Sequence, residues 1–84
     1  MPQLTMPEVM GQLTDVFRDV FEDDTITISA DTTAKDIDGW DSLAHVRLIV
    51  AVERHFKVKF MSREVASLKT VGELAELIEQ RKRA

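Results

Sequence analysis

The amino-acid sequence predicts an all-α fold: a small four-helix bundle with three main helices, one short helix and a long loop between the first and second helices. Apolar residues recur at the spacing of one helix face in three segments, and two capping-box motifs mark helix starts. The alternation in residues 25–28 could form an extended segment, but a lone strand has nothing to pair with. The 84 residues are expected to form a single domain, 1–84.

The first helix is predicted to run from a capping box at Thr5-Met6-Pro7-Glu8 to about Phe21. Its apolar face comprises Val9, Met10, Leu13, Val16, Phe17, Val20 and Phe21. The acidic residues 22–24 help to end the helix, because negative charge is unfavourable at a helix C-terminus. Residues 23–41 show no helical period, and we expect three isoleucines to pin this loop to the core: Ile26, Ile28 and Ile37.

The second helix is predicted to begin at Asp41 or Ser42 and to end near Phe56. One arc of this helix is assigned to the core and consists of His45, Leu48, Ile49, Val52 and Phe56. A second apolar stripe lies nearly opposite, Leu43, Val46 and Val50, with the basic residues Arg47, Arg54 and Lys57 beside it. The basic residues argue against full burial, so the stripe is interpreted as a docking surface for a partner. The alternative is that part of it packs under the loop of residues 23–41.

The C-terminal part is predicted to contain a short helix over residues 62–67 and a last helix. The last helix opens at the capping box Thr70-Val71-Gly72-Glu73, and its apolar face is predicted to comprise Leu74, Leu77 and Ile78. Gly72 is expected to allow a close helix contact. The basic run Arg81-Lys82-Arg83 complements the negative end of the same helix.

Composition excludes several classes of function. The chain has no cysteine, so it has no disulfide, thiolate metal site or cysteine nucleophile. No stretch approaches the ~20 apolar residues of a membrane span, and the N-terminus lacks a basic-then-apolar signal pattern, so a cytoplasmic location without membrane contact is expected. Residues 1–41 hold ten of the fifteen acidic residues and two of the eleven basic ones, which predicts an acidic surface distinct from the second helix.

Ser42 is the most informative residue of the chain. It lies in the first turn of the second helix, behind the acidic loop, where an exposed hydroxyl can carry a phosphate group near the positive end of the helix dipole. The alternative is an ordinary N-cap serine. Catalysis is not predicted, because Ser42 and His45 lie three positions apart on one helix and no second histidine is placed to assist.

Two other classes of site fail on residue type. The spacing Asp36-x-Asp38-Gly39 suggests a calcium-binding loop, but Ala34 and His45 stand where the first and last ligands are needed, so no metal site is predicted. An isoelectric point near 5.0 argues against nucleic-acid binding. A small helical protein–protein interaction module without a prosthetic group remains the alternative function.

The sequence resembles the acyl carrier proteins from about residue 5 to residue 80. The resemblance rests on Asp41-Ser42-Leu43 after Gly39, the long loop before it, the acid-base-apolar run from Glu53 to Phe60, and the closing segment 68–74. It implies a 4′-phosphopantetheine arm on Ser42, donated by coenzyme A through a magnesium-dependent phosphopantetheinyl transferase. Asp41 would orient the serine and be recognised by the transferase, and Gly39 would let the loop turn into the helix.

The resemblance also implies a role and a set of partners. The protein would be no enzyme itself but a monomeric carrier of acyl or aminoacyl groups, held as thioesters. It would present them to ligases, transferases and synthases that dock on the second helix, in fatty-acid, polyketide, nonribosomal-peptide or related pathways. A candidate acyl pocket comprises Leu48, Ile49, Val52, Phe60 and Leu68. The bulk of Phe60 favours a short or polar cargo.

Two departures from the family pattern carry predictions. Fatty-acid carriers usually have an acidic second helix, whereas here Ala44, Arg47, Arg54 and Lys57 stand where acids are expected. We therefore predict that the protein is a poor carrier for general fatty-acid synthesis. Its partners are expected to have neutral or acidic docking surfaces. Trp40 replaces the small residue that commonly precedes the motif. Packing over the loop is favoured for it over contact with the cargo, and the segment 39–46 is similar to stand-alone carriers of specialised pathways.

Overall fold

The computed structural model describes residues 5–83, without the side chain of Arg83. Four α-helices follow one another within these residues: α1 (Met6–Val20), α2 (Ser42–Phe56), α3 (Ser62–Ser67) and α4 (Val71–Arg83). No strand occurs within this range, so the predicted all-α bundle is confirmed, with its short third helix and its long loop between α1 and α2. No helix in the described range is long and apolar enough to cross a membrane.

Both predicted capping boxes are present. The hydroxyl of Thr5 accepts a hydrogen bond from the backbone N–H of Glu8 at 3.4 Å, and the Glu8 carboxylate accepts one from the N–H of Thr5 at 3.3 Å. Thr70 and Glu73 make the same reciprocal pair at the start of α4, at 3.2 and 3.1 Å. These bonds satisfy N–H groups that have no acceptor within the helix, which fixes where each helix begins.

The core lies where α1 packs against α2 and α4. Its buried residues from the three main helices are Val9, Leu13, Val16, Phe17, Leu48, Ile49, Val52, Phe56, Val71, Leu74, Ala75 and Ile78. The predicted face of α4 needs a correction: Val71 and Ala75 are wholly buried, whereas Leu77 is only half-buried. The buried stripe follows the spacing i, i+3, i+4, i+7 from Val71, and Leu77 falls at its edge.

The long loop is fastened to the first turn of α4 by two backbone hydrogen bonds. The N–H of Val71 donates to the carbonyl of Thr32 and the N–H of Gly72 donates to the carbonyl of Ala30, both at 2.9 Å. A Cβ on Gly72 would lie 2.8 Å from the Ala30 oxygen, so the close contact that we predicted is with the loop backbone and not with a helix. Of the three isoleucines expected to pin the loop, Ile37 is buried and the other two pack against the core.

A 3₁₀ turn that was not predicted spans Ala34–Asp36 within this loop. Thr33 and Asp36 form a third capping box there, with the Asp36 carboxylate accepting the N–H of Thr33 at 2.9 Å. A three-residue turn is too short to produce a helical period, so the absence of a period in residues 23–41 gave no sign of it.

The basic residues at the end of α4 do more than complement its dipole. Arg81 forms an ion pair with Glu64 of α3, and its Nε donates to the carbonyl of Lys59 at 3.2 Å. The ammonium of Lys82 donates to the carbonyl of Phe56, the last residue of α2, at 3.1 Å. The third residue of the run, Arg83, has a side chain outside the described residues. Two cations of α4 therefore hold the segment that joins α2 to α3.

Candidate functional site

The turn before α2 depends on Gly39 and Asp41. Gly39 has φ of +86°, in the left-handed region that residues with a side chain rarely adopt. The N–H of Asp41 donates to the Gly39 carbonyl at 2.9 Å, and the Asp41 side chain accepts the N–H of Ala44 at 2.8 Å. Asp41 is thus the N-cap of α2, so the alternative of an N-cap serine at position 42 is wrong.

Ser42 is the first residue of α2 and is exposed. Among residues 5–83 its hydroxyl has no hydrogen-bond partner, and His45 does not act on it as a base, since both ring nitrogens of His45 face other groups. The hydroxyl stands at the N-terminus of a 15-residue helix, where backbone N–H groups favour an anion. The arrangement suits an acceptor of a phosphoryl group and not a self-activated nucleophile.

A cleft of about 420 Å³ opens beside Ser42. It runs between the loop, the start of α2, α3 and the segment before α4, and its lining residues are Ala34, Trp40, Asp41, Ser42, His45, Val65, Ala66, Leu68, Lys69, Thr70 and Leu74. Most of these side chains are apolar, and Lys69 supplies the one cationic side chain among the lining residues. An apolar group attached near Ser42 has a place to leave water here.

The predicted acyl pocket differs from this cleft. Leu48, Ile49 and Val52 are buried in the closed core, and Phe60 packs against that core. Only Leu68 of the predicted set borders the cleft. The helical period could show that those α2 residues face inward, but it could not show that the interior is filled by α1 and α4. The inference from Phe60 to a short cargo therefore loses its basis.

For Trp40 the sequence favours packing over the loop and leaves contact with the cargo as the alternative; in the structure Trp40 borders the cleft. It packs against α1 instead of over the loop, with its ring centroid 5.2 Å from that of Phe17 and 6.2 Å from that of Phe21. Its Nε1–H donates to Nδ1 of His45 at 3.1 Å, and Nε2 of His45 lies 3.4 Å from the carbonyl of Val65. Because indole only donates, His45 accepts at Nδ1 and carries its proton on Nε2. Assigned to the core from sequence, His45 is in fact half-buried.

The apolar stripe of α2 faces solvent. The exposed fractions of Leu43, Val46 and Val50 are 62%, 57% and 42%, so none of the stripe packs under the loop. Three neighbouring basic residues are also exposed, and none of them forms an ion pair within the described part of the chain: Arg47, Arg54 and Lys57. No group of three or more metal-ligating side chains is arranged to hold a metal ion in that part.

Comparison with known proteins places these features in a family. The family model described as a phosphopantetheine attachment site matches residues 11–78. The solution NMR structure of a holo acyl carrier protein from Geobacter metallireducens is 48% identical to the chain, with a TM-score of 0.82. That match covers 87% of this chain and 84% of the Geobacter protein. No curated protein sequence matched significantly.

Proposed function

The chain belongs to the acyl carrier protein family, and we propose that Ser42 is the residue to which its 4′-phosphopantetheine arm is attached. Members of this family are carriers and not enzymes, and the arm is covalent. This membership sets aside the alternative of an interaction module without a prosthetic group. The thiol of the arm supplies the group on which an acyl intermediate is held as a thioester.

The observation that carries the proposal for Ser42 is its exposed hydroxyl at the N-terminus of α2, which has no hydrogen-bond partner among the described residues. The backbone N–H groups of Ser42 and Leu43 lack helical acceptors, and a helix N-terminus favours a phosphate, so the residues present fit the group. In the transfer, Ser42 Oγ forms the new bond to phosphorus and gives up its proton, while the rest of coenzyme A leaves as its nucleotide. The phosphopantetheinyl transferase, with magnesium, supplies the base that this site lacks.

Gly39, Asp41 and Leu43 complete the proposed attachment site. Gly39 sets the turn, and Asp41 orients the first turn of α2 through the bond to Ala44. The Asp41 carboxylate also borders the cleft, where the transferase can recognise it. Leu43, beside the serine, is the most exposed large apolar residue of α2 and offers the transferase an apolar contact.

The test of attachment is the intact mass after incubation with coenzyme A, magnesium and a broad-specificity phosphopantetheinyl transferase. We expect the wild type to gain one phosphopantetheine and Ser42→Ala to gain none. Ser62→Ala is the matched control, because Ser62 is the exposed first residue of α3. It should gain the arm as the wild type does. A gain by Ser42→Ala, or no gain by folded wild type with several transferases, would contradict the proposal.

The docking surface proposed for partner enzymes consists of Leu43, Val46 and Val50 with Arg47, Arg54 and Lys57. Its support is the exposure of all six residues and the lack of ion pairs to these cations within residues 5–83. A cationic rim selects partners with acidic or neutral surfaces. We accordingly infer ligases, transferases and synthases of a specialised pathway, such as polyketide or nonribosomal-peptide synthesis, acting on a cytoplasmic, monomeric carrier.

Reversing the charge of Arg47, Arg54 and Lys57 to glutamate should change which enzymes load the carrier. With a malonyl transferase of bacterial fatty-acid synthesis, whose docking surface is basic, we expect the holo triple variant to be loaded faster than the wild type, because opposite charges accelerate encounter. The difference in loading rate between the triple variant and the wild type should decrease as the salt concentration is raised. Glutamate at Lys35, Lys59 and Arg63, exposed residues outside the docking surface, is the matched control. Equal loading rates for the two triple variants would contradict the docking proposal.

A further inference from the structure

Trp40 separates the cleft beside Ser42 from the interior of the bundle. One side of the indole borders the cleft, and the other packs on Phe17, which is wholly buried in the core. Leu74, only 2% exposed, closes the cleft at a second point. Behind these two residues the interior is filled with side chains. A group that enters the cleft is therefore blocked by the Trp40 side chain.

His45 fixes the position of the Trp40 side chain. The hydrogen bond from Trp40 Nε1 to His45 Nδ1 is 3.1 Å long, and the two rings lie edge to edge with 20° between their planes. The other ring nitrogen of His45 faces the carbonyl of Val65 on α3 at 3.4 Å. The histidine thus ties the indole to α2 and α3 together. Both of its polar atoms are engaged, so it offers none to a ligand in the cleft.

We propose that Trp40, positioned by His45, sets the length of the acyl group that this carrier shelters. The cleft takes a short saturated acyl chain against Val65, Leu68 and Leu74, and the part of a longer chain that would pass Trp40 stays in water. The inference rests on the proposed attachment at Ser42, because the arm must end near the cleft. It assigns Trp40 as the specificity-determining residue and His45 as its positioning residue.

The test loads the protein from butanoyl-, hexanoyl-, octanoyl- and dodecanoyl-coenzyme A with the transferase and measures the melting temperature of each product. A sheltered chain stabilises the folded state, and each further buried methylene should raise the melting temperature by about 3–6 °C. In the wild type we expect the rise above the holo form to stop at a short chain. In Trp40→Leu it should continue to longer chains. Each variant is compared with its own holo form, so lost packing cancels.

Two substitutions at His45 test its positioning role. His45→Phe keeps a ring but removes the acceptor, and it should extend the length limit as Trp40→Leu does. His45→Asn keeps an acceptor near Nδ1 and should retain the wild-type limit. Since Trp40 is the only tryptophan and the chain has no tyrosine, the emission and the indole N–H resonance both come from this one side chain. Both signals should change in His45→Phe and stay near wild type in His45→Asn.

The outcomes separate this inference from the proposal that it rests on. If intact mass shows no loading of the wild type, the attachment at Ser42 is wrong and the inference falls with it. If loading is complete and the wild type shows the same dependence on chain length as Trp40→Leu, Trp40 is not the limit although Ser42 carries the arm. An unchanged limit in His45→Phe would overturn the role of His45.

Discussion

At the residue scale, neighbouring positions before α2 divide their tasks. Asp41 caps the helix, and Ser42 keeps an exposed hydroxyl with no partner in the described part of the chain. Had the serine been the cap, its oxygen would accept a backbone N–H and would be less available for modification. Gly39 and Gly72 each have a distinct structural role. Gly39 supplies a positive φ, and Gly72 lets the loop backbone approach the start of α4.

Gly72→Ala should destabilise the protein. The added Cβ would lie 2.8 Å from the Ala30 oxygen, so the loop must move and the Gly72–Ala30 hydrogen bond must lengthen. We expect the free energy of unfolding to fall by about 1–3 kcal/mol, measured in urea. Gly11→Ala is the matched control, because Gly11 is exposed within α1 with no atom close to a new Cβ. That change should raise the free energy of unfolding by about 0.5–1 kcal/mol. A shift of the same sign in both variants would contradict the role of Gly72.

At the scale of the elements, α3 is held by contacts from outside its own six residues. The Glu64 carboxylate accepts the N–H of Met61 at 2.8 Å and pairs with Arg81 of α4. Such a short helix has little stability of its own, so its position against the cleft depends on these bonds. Because Val65 of α3 also faces His45, the end of α4 helps to keep the cleft in shape.

The pairing of Glu64 predicts a dependence of stability on pH. The backbone N–H of Met61, followed by Arg81, lowers the pKa of Glu64 below its ordinary value of 4.5. This stabilisation is fully present above pH 4.5 and is lost as pH falls through the lower pKa of the folded state. We expect Glu64→Gln to lose less stability than the wild type on acidification across this range, in urea unfolding at several pH values. Glu76→Gln, at an exposed residue of α4, should keep the wild-type slope. Parallel slopes for Glu64→Gln and the wild type would contradict the assignment.

At the scale of the whole molecule, the bundle is small and its free energy of unfolding is correspondingly low. A chain of 84 residues has a total stability of about 4–13 kcal/mol. The core is shared by α1, α2 and α4, so one side chain at their junction accounts for a sizeable part of that total. The opposite side of α2 is exposed, so we expect it to contribute little to the free energy of unfolding, as the proposed docking surface requires.

Leu48→Ala tests this division of α2. Leu48 is wholly buried, and its truncation should lower the free energy of unfolding by about 2–5 kcal/mol, through lost burial and the cavity left behind. Val50→Ala, on the exposed stripe of the same helix, should change it by no more than about 0.5 kcal/mol. Both are measured by urea unfolding. Comparable losses in the two variants would mean that the stripe is part of the packed structure.

The sequence by itself determined the helices, their capping boxes, the two apolar faces of α2 and the family resemblance, whereas the exposure of the second face was decided by the structure. Periodicity and capping are local, so residues a few positions apart suffice to reveal them. Only the tertiary structure decided that the core around Leu48, Ile49 and Val52 is filled and leaves no acyl pocket there, that Trp40 and His45 line the cleft, and that Gly72 contacts the loop. Those contacts join residues distant in the chain, and no spacing encodes them. The last turn of α4 illustrates this: Arg81 and Lys82 bond to Glu64 and Phe56, 17 and 26 positions away.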